Sequence, residues 1–146
     1  MIWKPLVAAL IWTFPIGAVS AQSQPHELDS IVITITGDKH HTIPLQKWRT
    51  LSRSPRSAAA LDSILALAYR IGFFSGPTNL SDSPSLCPQP DPLAMLTAIG
   101  MYWPGGSRTV ERSQSCTGAD TAAVAHLQAL DALKRTVVAA IPRRTF

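Results

Sequence analysis

The sequence predicts an α+β fold: two β-hairpins form a small antiparallel sheet packed against two helices, in the order β-β-α-β-β-α. Three observations carry this expectation. Ile31, Ile33 and Ile35 alternate with Val32, Thr34 and Thr36 in a wholly β-branched run, which suits a half-buried strand. Leu61, Ile64, Leu65, Ala68 and Ile71 recur at helical spacing, with polar positions between them. Met95, Thr97, Ile99, Met101 and Trp103 alternate again and run into Pro104-Gly105-Gly106-Ser107, a strong turn signal.

The chain opens on a different kind of segment. Residues 1–21 carry Lys4, an apolar run from Leu6 to Ile16, and the small-x-small ending Val19-Ser20-Ala21. This is the pattern of a secretory signal peptide cleaved before Gln22. A membrane-spanning helix needs about 20 apolar residues, and this run is shorter and ends near Pro15 and Gly17. Residues 22–146 are then one mature domain, long enough for a core and too short for two domains. Its expected location is the periplasm or the extracellular medium, with no integral membrane segment left after cleavage.

Gln22 to Asp29 is polar and contains Pro25, so it reads as a flexible lead-in. The Ile31–Thr36 strand ends at the turn residues Gly37-Asp38-Lys39. His40 to Leu45 is the candidate return strand, kept short or at an edge by Pro44, which lacks a ladder donor. Trp48 and Leu51, three apart, suggest a short turn packed on the core. Ser54 followed by Pro55 is a good helix start. The helix spans 55–71 and stops at Gly72, where a left-handed cap fits; at least one of Phe73 and Phe74 folds back on its end.

Residues 75–92 are rich in proline and serine and predict a long loop. It is either a structural strap or a binding loop. Arg108 to Ser113 alternates as an exposed strand would; helix is the rival reading for 91–101. Thr117 and Asp120 have capping-box spacing. The helix that follows carries Ala123, Leu127, Leu130, Val137, Val138 and Ile141 on its apolar stripe and ends at Pro142.

Cys87 and Cys116 are the two cysteines of the chain. In an exported protein an even count predicts a disulfide, here closing a loop of about 30 residues.

The chemistry-bearing motifs are few. The sequence has 13 Lys and Arg against 9 Asp and Glu, a net charge of +4. The basic residues are scattered, whereas nucleic-acid binding uses a concentrated stripe, so no nucleic-acid partner is expected. His40 and His41 are adjacent; in a strand they face opposite ways and make only a weak metal candidate. HExxH, zinc-spaced cysteines, calcium-loop and GxSxG patterns do not occur, so neither a cofactor nor a catalytic residue is assigned. Tyr102, Trp103, Arg108 and Arg112 surround the second hairpin. Aromatic and arginine side chains are common interface anchors, which makes these four the candidate interaction site, against the alternative that Trp103 closes the core. The expected function is a small exported non-enzymatic binding or structural protein. It would be an inhibitor or an envelope-associated module whose partner is a protein or a cell-envelope component. The competing class is a small secreted hydrolase or metal-binding protein.

Overall fold

A computed structural model describes residues 24–36, 47–80, 82–91 and 94–142, and the side chains of these except Thr36, Lys47, Trp48 and Pro90. The elements are β1 (Ser30–Thr36), β2 (Lys47–Ser52), α1 (Ala58–Arg70), β3 (Gln89–Pro90), β4 (Leu96–Trp103), β5 (Gly106–Ser113), β6 (Cys116–Thr117) and α2 (Thr121–Ala140). The long elements follow the expected β-β-α-β-β-α order. Four strands make an antiparallel sheet in the order β2-β1-β4-β5, and β3 pairs with β6.

The register lines up the apolar positions of neighbouring strands. Ile31 lies opposite Leu51 on one side and Met101 on the other, and Ile33 opposite Ile99, which faces Val110. Because side chains alternate across a strand, these residues share one face. There they meet Leu61, Ile64, Leu65 and Ala68 of α1 and Leu127, Leu130, Leu133 and Val137 of α2. Each buried leucine, isoleucine, valine or methionine among them contributes roughly 1.5–3 kcal/mol. Both helices thus pack on the same face of the sheet.

The structure corrects several local expectations. The return strand of the first hairpin is Lys47–Ser52, where a short turn was expected. The stretch His40–Leu45, with His40 and His41, lies outside the described residues, as do the signal segment 1–21 and the tail 143–146. The lead-in is pinned rather than loose. Leu28 is fully buried, Arg53 Nε donates to its carbonyl at 2.7 Å, and the Tyr69 hydroxyl donates to the carbonyl of Pro25.

Helix α1 begins at Ala58, not Pro55, with Ser57 as its N-cap residue. Ser54 still caps the preceding turn: its Oγ accepts from Ser57 N at 3.2 Å and its carbonyl accepts from Ala58 N at 2.9 Å. At the other end, Gly72 has φ 73°. Phe73 N donates to Ala68 O at 2.9 Å and Gly72 N to Tyr69 O at 3.1 Å, the paired bonds of a Schellman cap. The cap turns Phe73 into the core, 2% exposed.

Asp120 alone caps α2, its carboxylate accepting from Ala123 N at 2.8 Å. Thr117 belongs to β6, with its hydroxyl on Gln89, so the expected Thr117–Asp120 box does not form. Leu133, absent from the expected stripe, is fully buried. Strand, not helix, is the state of 96–103, and Met95, placed before β4, is 47% exposed.

The proline- and serine-rich stretch is tied at several points. Arg108 donates to the carbonyls of Phe73 (2.8 Å) and Gly76 (2.6 Å). Leu80 N donates to Glu111 O at 2.8 Å and Glu111 N to Thr78 O at 2.7 Å, so Thr78–Leu80 lies along the outer edge of β5. Leu80 itself enters the core. The Cys87–Cys116 disulfide then joins the stretch to the start of β6, beside the β3–β6 pair.

Gly105 has φ 88° in the two-residue turn between β4 and β5, and Pro104 before it fixes a turn of type II pattern. Gly106 is required for another reason: a Cβ there would lie 2.9 Å from the Trp103 indole. Gly106→Val is therefore expected to push Trp103 from its rotamer and cost about 1–3 kcal/mol, read as a lower urea midpoint at unchanged slope. A midpoint unchanged from wild type would show that the indole moves freely.

Candidate functional site

One-sided packing leaves the opposite face of the sheet without a described helix against it. Val32 and Thr34 of β1, Thr50 of β2, Ala98 and Tyr102 of β4 and Thr109 of β5 lie on this face, each exposed or half-buried. Leu96 of β4 and Glu111 of β5 share this face, both half-buried, and the Tyr102 ring rests over Gly100. A Cβ on Gly100 would come within 3.2 Å of Tyr102 Cε2 and of Thr109 Oγ1. The Tyr102 side chain is 41% exposed, an amphipathic group of the kind enriched at interfaces.

The four residues expected to form one patch are divided between the two faces. Tyr102 is on the open face. Trp103 is on the helix-covered face and 7% exposed. It meets Phe74 edge-on at 5.7 Å, and Phe74 in turn meets Phe73 and Tyr69. Trp103 Nε1 is buried with no acceptor among the described residues. Arg108 and Arg112 also lie on the helix side and spend their donors internally. Arg108 holds the turn after α1. Arg112 donates to Leu127 O at 3.0 Å and to Asp131 at 3.1 Å, with Lys134 3.8 Å from the same carboxylate.

Arg53 has a role that composition did not reveal. It ties the lead-in to α1 through Leu28 O, Glu27 at 3.2 Å and Asp62 at 2.7 Å. The Asp62 hydrogen bond raises the guanidinium pKa above its ordinary range; desolvation opposes this, and the charges of Asp62, Glu27 and Asp29 add to the rise. No sequence periodicity links positions 27, 53 and 62.

A recess lined by Thr97, Ile99, Val110, Arg112, Leu130, Asp131 and Lys134 lies between the sheet and α2. Among the described residues no three of His, Cys, Asp and Glu gather as metal ligands. His26 is exposed and His126 half-buried on α2.

The second feature of the site is the edge formed by β2. Among the described residues β2 pairs only with β1, whereas the opposite edge at β5 is covered at Glu111 by Thr78–Leu80. Sequence reasoning missed this edge because it placed the return strand upstream. The available signal was Trp48, Thr50 and Leu51 within six residues free of Gly and Pro. No protein-family model, curated protein or solved structure matches this chain.

Proposed function

We propose that the chain is an exported, non-enzymatic binding protein of the periplasm or extracellular space, and that its open sheet face engages a protein or another envelope component. The observation that carries this reading is the one-sided sheet: among the described residues two helices cover one face, and Tyr102 stands exposed on the other. Export is supported by the pattern of residues 1–21: Lys4, the apolar run from Leu6 to Ile16 and the small-x-small ending Val19-Ser20-Ala21. The Cys87–Cys116 disulfide suits an oxidising compartment. No helix among the described residues is long and apolar enough to cross a membrane.

Two measurements test the reading. Mass spectrometry of the exported protein is expected to show a chain starting at Gln22 that carries the disulfide; a chain retaining Met1 in an exported fraction contradicts signal cleavage. Tyr102→Arg is expected to leave stability within ~1 kcal/mol, as for other surface changes, while abolishing retention of the partners that the wild-type protein captures from an envelope extract. Equal retention by both proteins would exclude the Tyr102 face.

A further inference from the structure

We propose that the outer edge of β2, which no described residue pairs, binds an extended strand of an acidic protein partner, with carboxylates at alternate positions facing Arg49. This deepens the binding reading and rests on it.

The backbone geometry defines the acceptor. Arg53 N donates to Asp29 O at 2.7 Å, which continues the β1–β2 register of Ile31 with Leu51 and Ile33 with Arg49. Antiparallel ladders alternate, so residues two apart turn their N–H and C=O to the same side. Arg49 and Leu51 therefore bond β1, and Trp48, Thr50 and Ser52 turn their peptide groups to the outer side. The carbonyl of Ser52 is taken by the Ser57 hydroxyl at 2.6 Å, which closes the edge at that end. The peptide groups of Trp48 and Thr50 form no backbone hydrogen bond to a described residue beyond the sheet. Strand addition uses such a row.

Natural edges are commonly blunted by proline, bulges or charge. Strand β2 has no proline; its charges are Lys47 and Arg49, both positive, with no acidic residue from 47 to 52. Arg49 is exposed and has no ion pair with a described residue, unlike Arg53 and Arg112. These charges select against a second copy of the chain. A two-fold pairing centred on Arg49 would set Arg49 opposite Arg49, and like charges directly opposite destabilise a sheet. Centring on Thr50 instead would bring Trp48 to Ser52, whose carbonyl is already engaged. An acidic strand meets neither obstacle. Its carboxylates would pair with Arg49 on the helix side, and its intervening small or β-branched residues would extend the open face next to Thr50.

The test uses the mature chain and two synthetic probes, the peptide Thr-Glu-Val-Glu-Val-Glu-Thr and the same peptide with lysine for glutamate. Binding is read by fluorescence anisotropy. The acidic peptide is expected to bind and the basic one not. Thr50→Pro removes an N–H that faces away from β1, a position where a strand tolerates proline, and is expected to weaken acidic-peptide binding by about tenfold. Arg49→Glu is expected to reverse the preference between the probes, and it keeps the test decisive should Thr50→Pro not fold. Equal binding to wild type and Thr50→Pro, or no binding of the acidic peptide, overturns the proposal. So does a wild-type dimer in sedimentation that Thr50→Pro converts to monomer, because the edge would then belong to a second copy. If the acidic peptide fails while Tyr102→Arg still abolishes partner capture, the edge inference falls and the binding reading stands.

Discussion

Replacing both cysteines, Cys87→Ser with Cys116→Ser, is expected to lower stability by about 3.6 kcal/mol on the chain-entropy relation for a loop of about 30 residues. For a domain of this size that corresponds to a fall in Tm of roughly 15 °C. The disulfide closes the stretch that carries Leu80 into the core and lays Thr78–Leu80 against β5. Without it, the unfolded chain gains freedom, and the short β3–β6 pair must hold by itself. Denaturation in urea of the variant and of the oxidised wild type measures the difference. A loss below ~1 kcal/mol would mean that the Arg108 bonds and the Glu111 bridge already fix the loop.

Phe73→Ala is the second large effect, expected to cost about 3–5 kcal/mol. Phe73 is among the largest fully buried side chains, and its ring meets Phe74 edge-on at 5.3 Å. It is also the residue whose N–H closes the α1 cap on Ala68. The backbone bond survives the substitution, so the cost is that of the cavity. Phe73→Leu should recover most of the loss by refilling the space, whereas Phe74→Ala, at a half-buried position, should cost less than Phe73→Ala. Equal costs at 73 and 74 would contradict the assignment of Phe73 as the core residue.

Much of this architecture is legible in the sequence because the apolar periods are long. β1 reads directly from its isoleucines, α1 from five apolar positions on one stripe, and β4 from Thr97 to Trp103 with the turn behind it. The disulfide is legible from the even cysteine count together with the expectation of export. Strand β2 is hidden because its two apolar residues, Trp48 and Leu51, are three apart and so do not alternate, and only Leu51 among the described side chains is buried. The start of α1 shifts because Ser54 caps a turn before the helix. Lead-in residues 24–29 look loose by composition, yet one leucine and one distant arginine, Leu28 and Arg53, fix them. The expected patch fails to assemble for a reason of parity. Tyr102 and Trp103 are neighbours in sequence, and neighbours in a strand face opposite ways.

The most direct test of the one-sided sheet and its outer β2 edge is residue-resolved amide hydrogen exchange on the mature protein, alone and with the acidic peptide. In the free protein the Arg49 and Leu51 amides, bonded to β1, should exchange slowly, and the Thr50 amide fast. Saturating peptide should slow Thr50 and leave Arg49 unchanged. A Thr50 amide already as protected as Arg49 in the free protein, or one indifferent to the peptide, would contradict the account.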